Sequence, residues 1–374
     1  MRQIYNFTFI SILLLSIYNG YFDSLYGTLA IKIIQILLLI IFIIYSYKFI
    51  LKKKHPTTIK YCIILTILFP VYLIYSPSST TIAKTAMICL LSAPFVFFNY
   101  KYSKVKIPEI KLLFYSIIPL LCIIIYKMIF AIGTSFTINT NEMLLDANFG
   151  YQVLIIIPLT LYCFPNNKKI SFLIFIITIT CVFLSTKRGA IICVIICCLI
   201  YFFYLLKESK KSFFKIFATV FVTSFSMFFL FSEFFLNNYY IADKYEQTLL
   251  GNLSGRDEIY QKLFDYISNN LTLVNSIFGN GLDYTQIITQ GYAAHNDWLE
   301  IFIDLGIIGL LLYLLLFLSF IYFILYRKLE LIDKVILLMV ASIWIVKSIF
   351  SMFLFSIETS IYFMIIGAIY SKYS

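Results

Sequence analysis

"LEIFIDLGIIGLLLYLLLFLSFIYFIL", residues 299–325, holds two acids and no basic residue. As a helix rising about 1.5 Å per residue it reaches roughly 40 Å, more than the ~30 Å hydrocarbon layer. A backbone in lipid must satisfy its own hydrogen bonds, so the run reads as a transmembrane helix. A second run, residues 29–50, has the same character, and the composition extends the reading to the whole chain. Of 374 residues, 61% are hydrophobic and 13% charged, with a mean hydropathy of +0.94. A soluble domain is about half apolar and a quarter charged. The expected fold is therefore all-α and polytopic, with residues 1–374 forming a single transmembrane domain. The first apolar run, with no small-residue cleavage site after it, is expected to be a retained helix and not a secretory signal.

The net charge is +11, and its distribution argues against a nucleic-acid partner. Lys52, Lys53, Lys54 and Lys60, then Lys101, Lys104, Lys106 and Lys111, then Lys168 and Lys169 fall in alternate connections between apolar runs. Lys207, Lys210, Lys211 and Lys215, then Arg327, Lys328 and Lys334, continue the alternation. That is the positive-inside pattern, and it would meet anionic lipid on the cytoplasmic face. Walking the chain this way predicts about twelve crossings with both termini cytoplasmic. They fall near 4–19, 28–50, 61–75, 82–98, 110–132, 150–164, 170–186, 189–206, 213–235, 299–326, 333–349 and 357–371. The long external connection is 237–298, between helices nine and ten, and it is expected to form part of the active site.

The eight cysteines all fall in or at the ends of predicted helices, and none lies in the long loop. They read as small packing residues, because no His or carboxylate accompanies them as a metal ligand would.

Against this background "FLSTKRGAIIC", residues 183–193, is unusual: Lys187 and Arg188 sit between two apolar runs. With helix seven starting after Lys169 and helix eight ending before Lys207, each arm is roughly 25 Å long. The tip falls near the outer headgroup level, on the side that the charge rule disfavours. Ionisable residues at that depth are functional candidates by default, although cations that snorkel to lipid phosphates give a plainer reading. Gly189 is expected to permit the tight reversal.

Arg256 strengthens the functional reading. The chain has only four arginines, and Arg188 and Arg256 are the two on the external side. The loop around Arg256 has three cations against seven acids, a balance of −4, so this Arg is not part of a basic surface. A guanidinium offers a planar fork for bidentate phosphate binding. "LSGRDEIYQKLFDYISNNL" predicts a helix capped by Ser254 with Asp257 as capping-box partner. Ile259, Leu263 and Ile267 give it one apolar face, to lie on the membrane or on the helix bundle. Arg256 in the first turn adds its charge to a helix end that favours anions; a salt bridge to a neighbouring acid is the alternative.

Of the two histidines, His55 lies in a cytoplasmic lysine cluster. His295 lies where the loop re-enters the membrane, close in depth to Arg188. Imidazole suits proton transfer near neutral pH and phosphate contact. Asp297 is a second candidate base, although an acid at a helix start explains it more simply.

"STKRG", "SGRDEIY", "FGNGL" and "AHNDWLEIFIDLGIIGLLLYL", in this order over about residues 170–330, resemble the O-antigen ligase and O-antigen polymerase superfamily of bacterial envelope glycosyltransferases. The resemblance implies a metal-independent enzyme, without a cofactor, of C-type glycosyltransferase-like helical architecture. It also implies a glycan linked to undecaprenyl diphosphate as donor, transferred at the periplasmic face of the inner membrane. The family's two diphosphate-holding arginines map onto Arg188 and Arg256, and its histidine onto His295. Lys187 occupies a position that the family does not fix; its place beside the diphosphate is inferred from charge alone. A polymerase would extend the glycan on another lipid-linked repeat. A ligase would pass it to a lipid A core or another terminal acceptor. A chain-length regulator and a flippase of the same pathway are the expected partners. A lipid-linked oligosaccharide flippase is the non-enzyme alternative, but transporters commonly show internal repeats and midplane sites, and here the unusual charges gather beside one loop.

Overall fold

The structure, a computed structural model, describes residues 149–208 except Thr186, and 256–373 except Phe355 and Ile357, with isolated helical positions Lys60, Tyr61, Ile64, Tyr115 and Ile118. Every regular element among these residues is helical. The predicted helices one to five and nine, and the Ser254 cap, lie outside this set apart from the isolated positions. The rest form two compact units, one containing Phe114–Gly255 and Glu330–Val346, the other containing Arg256–Leu329 and Lys347–Ser374.

In the first of these units, α1 (Phe149–Val153) and α2 (Ile156–Cys163) replace the single helix predicted near 150–164. The cause is Pro158, which has no N–H to offer the Leu154 carbonyl and so interrupts the ladder. Next come α3 (Lys168–Leu184) and α4 (Arg188–Glu208), which match predicted helices seven and eight. Asn167 caps α3, its Oδ1 accepting from Ile170 N at 3.2 Å. The two helices pack through stacked rings of Phe175 and Tyr201, centroids 4.4 Å apart. Cys163, Cys181, Cys193 and Cys197 are buried in this packing and form no disulfide, as their apolar surroundings in the sequence suggest.

The reversal between α3 and α4 is not made by Gly189. That residue is buried inside α4 and is absent from the left-handed positions of the described backbone. Ser185 and Lys187 make the turn: Ser185 Oγ donates to Val182 O at 2.6 Å and accepts from Lys187 N at 3.4 Å. Gly150 is the glycine that the tip requires, because a Cβ there would collide with Ser185 Oγ.

The other unit contains α5 (Arg256–Asn269), α6 (Leu273–Phe278), α7 (Tyr284–Ile288), α8 (Asp297–Tyr326) and α10 (Glu358–Lys372). The intervening α9 (Leu331–Phe350) contributes only its last turn. Helices ten, eleven and twelve of the sequence reading correspond to α8, α9 and α10. Hydropathy misses one feature: α8 is two helices joined at Gly306, where φ is 67° and ψ −169°. Phe323 of α8 stacks on Tyr370 of α10, centroids 3.6 Å apart. Among the described residues, α4 and α8 are long and apolar enough to cross a membrane.

Candidate functional site

The site residues predicted from sequence stand at the starts of helices. Arg188 is the first residue of α4; Lys187 precedes it, and its carbonyl accepts from Ile191 N at 3.0 Å. Both are half-buried. Arg256 is the first described residue of α5 and is half-buried as well. His295 lies two residues before α8 and adopts a left-handed backbone, φ 52°. Helix starts expose unpaired amides and the positive end of the dipole, which favours an anion.

Arg256 and His295 share one unit, and their segments pack together. The apolar face of α5 buries Leu263 against Ala294 and Ile303, with Ile259, Ile267 and Phe302 around them. The face read from Ile259, Leu263 and Ile267 thus lies on the first half of α8 and on the residue next to His295. Arg188 belongs to the other unit.

Around His295 the neighbouring residues hold the backbone. Ala294 N donates to Glu300 Oε2 at 3.1 Å, and Asn296 Oδ1 caps α8 by accepting from Leu299 N at 3.1 Å. Trp298 Nε1 donates to Ser348 Oγ at 3.0 Å. Asp297 is fully buried. Its Oδ2 accepts from Phe353 N and Leu354 N, each at 2.9 Å, and from Tyr313 Oη at 3.1 Å; its Oδ1 has no hydrogen-bond partner among the described residues. While Asn296 is the cap, Asp297 is the first residue of α8, an acid at the helix start as the sequence suggests. It ties the start of α8 to the turn after α9.

The "FGNGL" stretch positions the loop on α8. Asp304, fully buried, accepts from Asp283 N at 2.9 Å through Oδ2, and from Thr285 N at 3.0 Å and Thr285 Oγ1 at 2.8 Å through Oδ1. Asn280 Nδ2 donates to Ile303 O at 2.9 Å, while Asn280 Oδ1 accepts from Tyr266 Oη at 2.9 Å. Burial, with Tyr284 beside it, pushes the Tyr266 hydroxyl up to about 12. It stays a donor throughout the physiological range.

Sequence reading missed Lys347. It is buried at the end of α9, and its Nζ donates to Ser356 Oγ at 2.7 Å. Its neighbour Ser348 receives the Trp298 indole, so it sits near the start of α8. The signal was available: a lone ionisable residue in "WIVKSIF" is a functional candidate by the same rule that picked out Arg188.

Among the described residues no group of three or more His, Cys, Asp or Glu side chains is gathered to hold a metal. No curated protein and no solved structure matches the chain. Residues 173–314, however, match the family model described as O-antigen ligase, a stretch that takes in Arg188, Arg256, His295 and the Asp304 contacts. Over that stretch the chain is similar to the O-antigen ligase family, in line with the resemblance read from its motifs.

Proposed function

We propose that the protein is a surface-polysaccharide polymerase of the inner membrane, transferring a glycan from undecaprenyl diphosphate to another lipid-linked repeat. The family supports lipid-linked sugar transfer in general terms. The observation that supports assigning the diphosphate to these residues is that Arg188, Arg256 and His295 lie at or just before helix starts inside the matched stretch. In an inverting displacement the acceptor hydroxyl attacks the anomeric carbon, the bond to the diphosphate oxygen breaks, and negative charge grows on the leaving group. Arg188 and Arg256, with Lys187 as an auxiliary cation, are assigned to that charge, where preorganised donors act most strongly. His295 is assigned to the acceptor proton or to a phosphate oxygen.

A ligase, passing the finished glycan to lipid A core or another terminal acceptor, is the second reading, and the family match is compatible with either. Deleting the gene and separating the surface glycan by size tests both. Glycans collapsed to a single repeat support the polymerase, and long polymer left unattached supports the ligase. An unchanged glycan profile would sink both.

A further inference from the structure

The four apolar residues of α6 turn out of the fold. Leu273 is 79% exposed, Val274 63%, Phe278 55% and Ile277 36%. Its polar residues are the more enclosed ones: Asn275 Nδ2 donates to Asn280 Oδ1 at 2.7 Å, inside the network that also holds Tyr266 and Ile303 O. A helix surrounded by water is built the other way round. The neighbouring α5 is mixed: it buries Leu263 and exposes Asp257, Glu258, Lys262 and Asp265, with Phe264 exposed among them. In α6 every apolar residue is turned outward.

What covers α6 is indicated by its continuation. The helix ends at Gly279, whose backbone seats against Asp304 and Leu305 of α8. Just beyond, Ile307 is exposed and opens a stripe continued by Leu311, Leu314 and Leu318. These residues recur at helical spacing along a candidate membrane span that is apolar yet mostly unburied. The last turn of α6 meets α8 at Gly306, directly before Ile307, where that stripe begins.

We propose that α6 is seated in the lipid bilayer, its four apolar side chains at the boundary between headgroups and acyl chains and Asn275 turned to the protein. This surface goes beyond the proposed reaction and does not depend on it. Its effect is to hold the loop from Asn280 to His295 against the membrane from a second point besides α8.

Photocrosslinking of the full chain in vesicles of phosphatidylethanolamine and phosphatidylglycerol tests the proposal. A benzophenone amino acid is placed at Val274, at Phe278 and, as a control on the exposed polar side of α5, at Gln261. The expected result is the mass of a phospholipid added on irradiation at 274 and 278 and absent at 261. Crosslinks from 274 and 278 to another part of the chain or to a second copy, or no adduct at either, overturn it. Leu273 serves as the replacement position should either variant fail to fold, and is read in the same way.

Discussion

Gly279 and Gly306 meet backbone to backbone where α6 joins α8, each in a conformation open to glycine alone. Gly279 has φ 81° and ψ 177°, Gly306 φ 67° and ψ −169°. A Cβ on Gly279 would collide with Asp304 O, and one on Gly306 with Ile277 O. A side chain in this region of the map costs about 1 to 3 kcal/mol before any collision is counted. Gly279→Ala and Gly306→Ala are therefore expected to lower the thermal unfolding midpoint in detergent clearly. Gly291→Ala should do less, because a Cβ there meets nothing within 4 Å. Equal midpoints for the three variants would contradict the interlock.

Asp304 collects three donors from 283–285, and Asp304→Ala orphans the buried amides of Asp283 and Thr285. Each unsatisfied group costs about 1 to 3 kcal/mol. Hydrogen exchange is expected to quicken over 279–290 while α10 keeps its protection. Unchanged exchange at Asp283 and Thr285 would remove the assignment.

Arg188→Ala and Arg256→Ala are each expected to lower transfer by about 10² to 10³ with expression retained, the usual loss when one preorganised donor is removed. Lysine at either position should restore only part of the rate, having charge but no fork. Full activity in either alanine variant eliminates that residue from the diphosphate assignment.

His295 allows chemistry and backbone to be separated. Asparagine accepts positive φ far more readily than a branched residue does, so His295→Asn should fold normally and lose transfer. His295→Val should lose both folding and transfer. Wild-type rates in the asparagine variant would show that the imidazole has no part in the reaction.

Metal independence follows from the family resemblance and is tested directly: transfer should persist in excess chelator. A strict requirement for added divalent ions would overturn it.

Much of this was legible in the sequence, because burial follows periodicity. The face of α5 at Ile259, Leu263 and Ile267 appeared where the pattern put it, and the long apolar runs became α4 and α8. What the face packs on was not legible, since an apolar stripe fits lipid and protein equally. Hydropathy also passes over Gly306, where the break lies in a dihedral angle and not in polarity. Gly189 was misread for a related reason: a glycine beside a turn looks like the turn, while Ser185 made it with its hydroxyl. Asp297 was read locally, yet its partners lie 56 and 57 residues downstream.

That separation has a consequence for biosynthesis. Chains emerge from the ribosome N-terminus first, so Asp297 is made and threaded toward the membrane before Phe353 and Leu354 exist to receive it. Until they arrive, the carboxylate has Tyr313 alone among these partners, and the residues that carry His295 lack their final anchor. The loop thus matures only after partners 56 and 57 residues downstream have been made, and a nascent chain halted before residue 353 would carry its motifs without that anchor.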